Sequence, residues 1–125
     1  MILDDPATLA ELQARFAAYE LALGENDVAA LDDFFWESPL AVRFGASESL
    51  YGFAAIAAFR AARGKTPPRK LQATQVTAFG TDYGVTVTEF VRQGEARLGR
   101  QTQVWVKFPA VGWKIVSAHV SWCAS

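Results

Sequence analysis

The stretch Gly99 to Ser121, GRQTQVWVKFPAVGWKIVSAHVS, holds two long runs of β-type residues joined by one short turn, and it limits the fold more than any other part of the chain. The first run alternates Gln101, Gln103, Trp105 and Lys107 against Thr102, Val104, Val106 and Phe108. The second alternates Trp113, Ile115, Ser117, His119 and Ser121 against Lys114, Val116, Ala118, Val120 and Trp122. Two period-two runs around one turn predict a hairpin. A sheet with one wet face shows a clean apolar side and a clean polar side, whereas here both sides are mixed. Gln101, Gln103, Ser117, His119 and Ser121 are therefore expected to face an enclosure over the sheet that is neither solid core nor bulk water.

Upstream the pattern is helical. After Asp5-Pro6, a capping residue and a residue suited to a first turn, Leu9, Leu12, Phe16, Tyr19 and Leu23 recur at steps of three and four until Gly24. This spacing predicts an amphipathic helix with the Tyr19 ring aimed inward, its hydroxyl either bonded to core backbone or serving a ligand. Asn26 or Asp27 caps a short second helix through Asp33, and Phe34, Phe35 and Trp36 follow as rings that either plug the base of the fold or line a cavity mouth. Pro39 opens an extended segment, LAVRFG, with Arg43 between Val42 and Phe44. Arg43 is a solvated edge-strand residue if those neighbours face the core, and a preformed fork for a carboxylate if the strand lines a cavity.

A turn and short strand to Tyr51 lead into a third helix, Phe53 to Arg63, stopped by Gly64 and Pro67-Pro68. Phe53, Ile56, Ala57 and Arg60 share a face, which makes Arg60 the candidate inward charge unless its stem lies along the sheet rim with its head in water. From Arg69, LQATQVTAF and GVTVTEFVRQ precede the hairpin and complete a four-stranded antiparallel meander, with Glu89 in the middle of its second strand. Helices first and a meander after define an α+β fold.

At 125 residues the chain is expected to form one domain, residues 1–125, with a core of its own. The net charge of −1, with both signs interspersed, leaves no footprint for nucleic acid or an anionic membrane. MILDDPATL is no secretory leader, and no run reaches the roughly 18 apolar residues of a membrane span, so a cytoplasmic protein is expected. Cys123 stands alone, there is a single histidine, and no HExxH or phosphate-cradling glycine loop occurs; neither a metal nor a cofactor is expected.

What remains is a cavity with a phenol, one or two guanidiniums, amides and aromatic walls, a set suited to a small planar anion. Arg43 binds a carboxylate, Tyr19 donates a proton or hydrogen bond, and Trp36 or Trp105 stacks on a flat body. Arg60, Gln103 and His119 complete the candidate binding set. His119, whose ordinary pKa lies near neutrality, is either a hydrogen-bonded lining residue or a catalyst; Ser117 and Ser121, two positions away on one strand, need not meet its ring.

Several motifs, in order, carry a resemblance. YGFAAIAAFRAAR, QTQVWVKF and the GWKIVSAHVS ending resemble the SnoaL-like branch of the nuclear transport factor 2-like (NTF2-like) superfamily, a cone of three helices packed on a curved, mainly antiparallel sheet that encloses a pocket. NDVAALDDFFWESPLAVRFG is similar to the small AtzH- and HpxZ-like proteins of cyanuric acid and oxalurate breakdown, and the likeness spans roughly residues 8–122. This resemblance implies a cofactor-independent enzyme of ureide catabolism that decarboxylates or hydrolyses an N-carboxylated urea, a 1,3-dicarboxyurea-like or oxalurate-related acid. The positions that carry the implication are Tyr19 in YELAL and Arg43 in FFWESPLAVRFG. Removing such a carboxyl group returns the C–N electrons to nitrogen, where Tyr19 supplies the proton while Arg43 anchors the carboxylate.

The cone is not tied to one chemistry. Isomerase or epoxide-opening chemistry needs a buried carboxylate base, for which Glu89 is the one strand candidate. A non-enzymatic ligand-binding or assembly module, like the association domains of calmodulin-dependent kinases, is a third reading. A twisted meander with Trp105, Trp113 and Trp122 on more than one face leaves apolar surface beyond the reach of three helices. A homodimer is therefore expected, with Val104, Val106, Val116 and Val120 on the buried outer face.

Overall fold

In the computed structural model, which describes residues 1–124, Asp5 accepts hydrogen bonds from the Thr8 amide (3.2 Å) and hydroxyl (2.7 Å). Those bonds satisfy donors that a first helical turn leaves free, and helix α1 runs from Pro6 to Glu25. Asn26 ends it at φ 52°, a left-handed conformation that a short polar side chain tolerates. Asp27 caps α2 (Val28–Phe34) through the Ala30 amide. Two short strands follow, β1 (Val42–Phe44) and β2 (Ser49–Tyr51), then α3 (Phe53–Arg63). The meander is β3 (Arg69–Phe79), β4 (Tyr83–Arg92), β5 (Gly99–Phe108) and β6 (Gly112–Trp122).

The six strands form one sheet in the order β2-β1-β6-β5-β4-β3. Only the β1–β6 pair is parallel. Three helices packed on a curved, mostly antiparallel sheet bear out the α+β expectation. The core lies between helices and sheet: Leu12, Tyr19 and Ala22 of α1 and Leu31 and Phe34 of α2 meet Trp105, Trp113 and Ile115. Leu12 fits because position 84 is glycine; a Cβ there would stand 2.1 Å from Leu12 Cδ2. Phe34 meets the Tyr19 and Trp105 rings edge-on at 5.6 and 6.3 Å.

A bulge in the β5–β6 hairpin corrects the sequence reading. Val104 pairs with Ser117 and Trp105 with Ile115, so Val116 is an extra residue without a partner. One extra residue inverts side-chain parity beyond it. Trp113 and Ile115 face the helices before the bulge, and Ala118, Val120 and Trp122 do so after it. Ser117 and His119 are thereby turned to the outer face and exposed. Trp105, Trp113 and Trp122 thus all face inward, and Val120 is not an outer-face residue. Val104 (37%) is exposed on the outer face as expected, joined there by Val87 (44%) and Val91 (37%). Among the described residues no helix is long and apolar enough to cross a membrane.

Candidate functional site

A cavity of about 240 Å³ opens where the C-terminal half of α1, the β1–β2 turn, the end of α3 and the ends of β3 to β6 converge. Tyr19 comes to it from the α1 core stripe, and Arg43 from β1, where pairing with Ala118 sets the guanidinium on the inner side of the sheet. Phe59, Phe90 and Trp122 supply apolar walls. Phe90 lies across Gly99, where a Cβ would stand 2.3 Å from its ring, so glycine lets the ring cross the neighbouring strand.

Arginine dominates the lining. Arg63, Arg69 and Arg92 join Arg43, and Arg69 stands directly opposite Arg92 across the β3–β4 ladder. Like charges so placed are destabilising, and two carboxylates offset part of that. Glu20 accepts from Arg69 Nε (3.1 Å) and Nη2, while Arg69 Nη1 donates to Gln101 Oε1 (3.1 Å). Glu48 accepts from Arg43 Nη1 at 3.0 Å. Arg63 and Arg92 make no ion pair with any described residue, and the Nε of each is buried without a hydrogen-bond partner. They lie over the rings of Phe59 (5.8 Å) and Trp122 (4.7 Å).

Desolvation pulls the Arg63 pKa below its ordinary value, and the neighbouring Arg43 charge acts the same way; the Tyr19 hydroxyl opposes them. Burial acts to raise the Glu48 pKa, yet hydrogen bonds from Ser47 and Arg43 together hold its carboxyl below the usual range. Four guanidiniums set against Glu48 and Glu20 leave two positive charges in the cavity wall without an ion-pair partner among the described residues. Such a wall favours a small anion, and more strongly one with two negative groups. Among the described residues no three His, Cys, Asp or Glu side chains gather as metal ligands would.

Of the candidate catalytic and binding residues, Tyr19 and Arg43 line this cavity, together with Gln101, which was expected to face an enclosure. Gln103 and Trp105 face inward as expected but lie deeper, in solid core: Trp105 Nε1 donates to Thr86 Oγ1 (3.0 Å), which donates to Gln103 Oε1 (2.9 Å). Arg60 is an inward charge, 3% exposed, but it pairs with Asp32 at 2.9 Å and lies over Phe35. Trp36 stacks on Phe108 and borders a second cavity, toward the opposite ends of the strands, beside Asp32, Phe53 and Lys114. His119 sits outside, edge-on to Phe44. Glu89 is exposed on the outer face, so the isomerase reading loses its strand base.

Sequence reasoning passed over Arg63, Arg69, Arg92 and Glu48, whereas Gln101, expected to face an enclosure over the sheet, does line the cavity. A signal did exist for one of the missed residues: Arg92 shares parity with Phe90 and Thr88, so it belongs to the inward strand face. Arg63 has no such signal, because it lies one turn from Arg60 on α3 and only the tertiary packing sends the two to different surroundings.

The AtzH-like family model matches residues 1–125. The chain belongs to the AtzH-like family. No curated protein matches this AtzH-like chain. Among solved structures it is similar to a protein of unknown function of the DUF3225 family from Pectobacterium atrosepticum, with 47% identity and a TM-score of 0.94 over 98% of this chain and 95% of that one. A cystatin-like fold protein from Burkholderia xenovorans is 46% identical, with a TM-score of 0.96 over 100% and 98% of the two chains. An NTF2-like superfamily protein from Salmonella enterica, 25% identical over 95% and 93%, has a TM-score of 0.78 and ties the AtzH-like chain to the NTF2-like cone.

Proposed function

We propose that this AtzH-like protein is a cofactor-independent enzyme of ureide catabolism that decarboxylates or hydrolyses a small N-carboxylated urea, a 1,3-dicarboxyurea-like or oxalurate-related acid. The observation that supports the reading best is that Tyr19 and Arg43, brought from α1 and β1, line one small cavity together with two arginines that make no ion pair among the described residues. Its volume lies below the range of roughly 300 to 1,000 Å³ usual for drug-sized ligands, which suits an acid of ureide size.

In the decarboxylation, Arg43 anchors the carboxylate of the N-carboxyl group. The C–N bond breaks with its electrons returning to nitrogen, the Tyr19 hydroxyl gives that nitrogen a proton, and carbon dioxide leaves. Arg63, which lines the same cavity as Tyr19, adds a second positive charge to the wall where the anionic substrate sits. Water returns the proton to Tyr19, and the urea product keeps its remaining groups. A second carboxylate on the substrate meets Arg63 and Arg92.

Turnover assays against biuret-derived and oxalurate-derived acids test the reading, run beside plain binding of the same acids. Turnover of at least one acid, lost in both Arg43→Ala and Tyr19→Phe while the proteins stay folded, supports it. Near-normal turnover by Arg43→Ala on every acid sinks the anchor role, and binding without turnover of any acid leaves a small-anion binding module. The homodimer belongs to the same proposal: the exposed valines of the outer face offer an apolar surface for a second copy. Sedimentation at micromolar protein is expected to give twice the monomer mass.

A further inference from the structure

Glu48 does more to the cavity than balance one charge. Gly45 Nα donates to the Glu48 carbonyl at 2.9 Å, which folds the β1–β2 turn back on itself. The Glu48 carboxylate then lies over Gly45, in the space a side chain would fill: a Cβ at position 45 would stand 1.7 Å from Oε1 and 2.4 Å from the carboxyl carbon. From that seat Oε1 takes Arg43 Nη1 at 3.0 Å, and Ser47 Oγ donates to Oε2 at 2.9 Å. With Nη1 taken, the end-on fork of Arg43 is closed, and any carboxylate arriving there meets a like charge.

We infer that Glu48 is an internal stand-in for the substrate carboxylate, a positioning residue that occupies Arg43 when the site is empty and yields it when an anion binds. The seat over Gly45 holds the carboxylate, while its place in an exposed turn beside Ser47 gives it solvent to move into. Resting on the decarboxylation proposed above, the same contact accounts for release: once the N-carboxyl group has gone as carbon dioxide, Arg43 lacks an anion and Glu48 returns to it. Ligand binding is therefore weakened by the fraction of time Glu48 holds Arg43, and turnover gains an exit step in exchange.

Malonate, an unreactive dicarboxylate, is the probe, titrated calorimetrically into the full-length protein and three variants. Glu48→Gln is expected to bind it about tenfold more tightly, as when the Arg43-free state is about a tenth of the population. Gly45→Ala, whose new Cβ drives the carboxylate from its seat while keeping its charge, is expected to tighten binding in the same direction. With the carboxylated urea, Glu48→Gln lowers KM without raising kcat. Weaker or unchanged malonate binding in Glu48→Gln, beside a clear loss in Arg43→Ala, overturns the stand-in role and leaves the anchor role intact. No loss in Arg43→Ala overturns both.

Discussion

Two groups of inward residues on β4 and β5, a few positions apart, show what separates structural polarity from functional polarity. Around Trp105, the indole N–H passes to Thr86 and the Thr86 hydroxyl to Gln103; Gln103 Nε2 alone is left without a partner. Around Arg92 and Gln101, on the same strands, donors outnumber acceptors, and two guanidiniums pair with no carboxylate among the described residues. Both groups sit on the inner face under the helices, the first fully buried and Arg92 half-buried, so the side of the sheet does not separate them. Satisfaction does, because a buried donor left unmade weakens the fold unless something outside the chain completes it.

The sharpest way to break the comparison is to damage each group in turn. Trp105→Ala removes a fully buried ring together with the donor that engages Thr86, and is expected to destabilise the fold by about 3 to 5 kcal/mol; urea unfolding measures it, with activity falling only as the fold does. Tyr19→Phe, at the cavity, is expected to do the reverse. Turnover drops by roughly two to four decades if the hydroxyl is the proton donor, while the unfolding midpoint stays put.

Arg43→Ala comes next. Losing a charge-assisted contact worth about 1.5 to 3 kcal/mol weakens dicarboxylate binding by roughly one to two decades, and Arg43→Lys recovers only part of it because a point ammonium lacks the planar fork. Arg92→Gln sharpens the contrast at smaller scale. Removing one of two opposed guanidiniums relieves repulsion with Arg69, so stability is expected to rise by up to about 1 kcal/mol while dicarboxylate binding weakens. Equal losses in both would place Arg92 with the structural group.

The smallest effect concerns the rim. A bond from the Arg97 side chain holds the Glu95 carboxyl at about 2, against an ordinary value of 4.5, and Arg97 in turn lies 5.4 Å over the Trp122 ring of the cavity wall. A carboxyl depressed in the folded state adds stability that is present above its unfolded pKa and lost as pH falls through the folded one. The melting temperature of wild type minus that of Glu95→Gln should therefore be constant above about pH 5 and shrink toward pH 2.

Much of the architecture could be read without coordinates. Local chemistry decides where α1 starts, where α3 stops and which runs are strands: Asp5-Pro6, Gly64 with two prolines, and period-two alternation each act through neighbours in the chain. Tyr19 and Arg43 were legible as candidates because a core-stripe tyrosine and an arginine flanked by apolar residues are locally unusual. The charge of the cavity was not legible in the same way. It arises where Arg63, Arg69 and Arg92, from three different elements, meet Arg43, and no local pattern records that meeting.

Two further decisions belonged to tertiary structure alone. Alternation assigns a side chain to a face only while the ladder is unbroken, and the unpaired Val116 sends His119 outward and brings Val120 and Trp122 in. Helical periodicity gives Arg60 and Arg63 neighbouring directions. Only the packing of α3 against α2 and β1 hands the first to Asp32 and leaves the second to the cavity. The sequence by itself determined which segments are helix and strand, because those choices depend on near neighbours. The tertiary structure decided which polar groups are satisfied and which are left for a ligand, because that depends on distances between residues far apart in the chain.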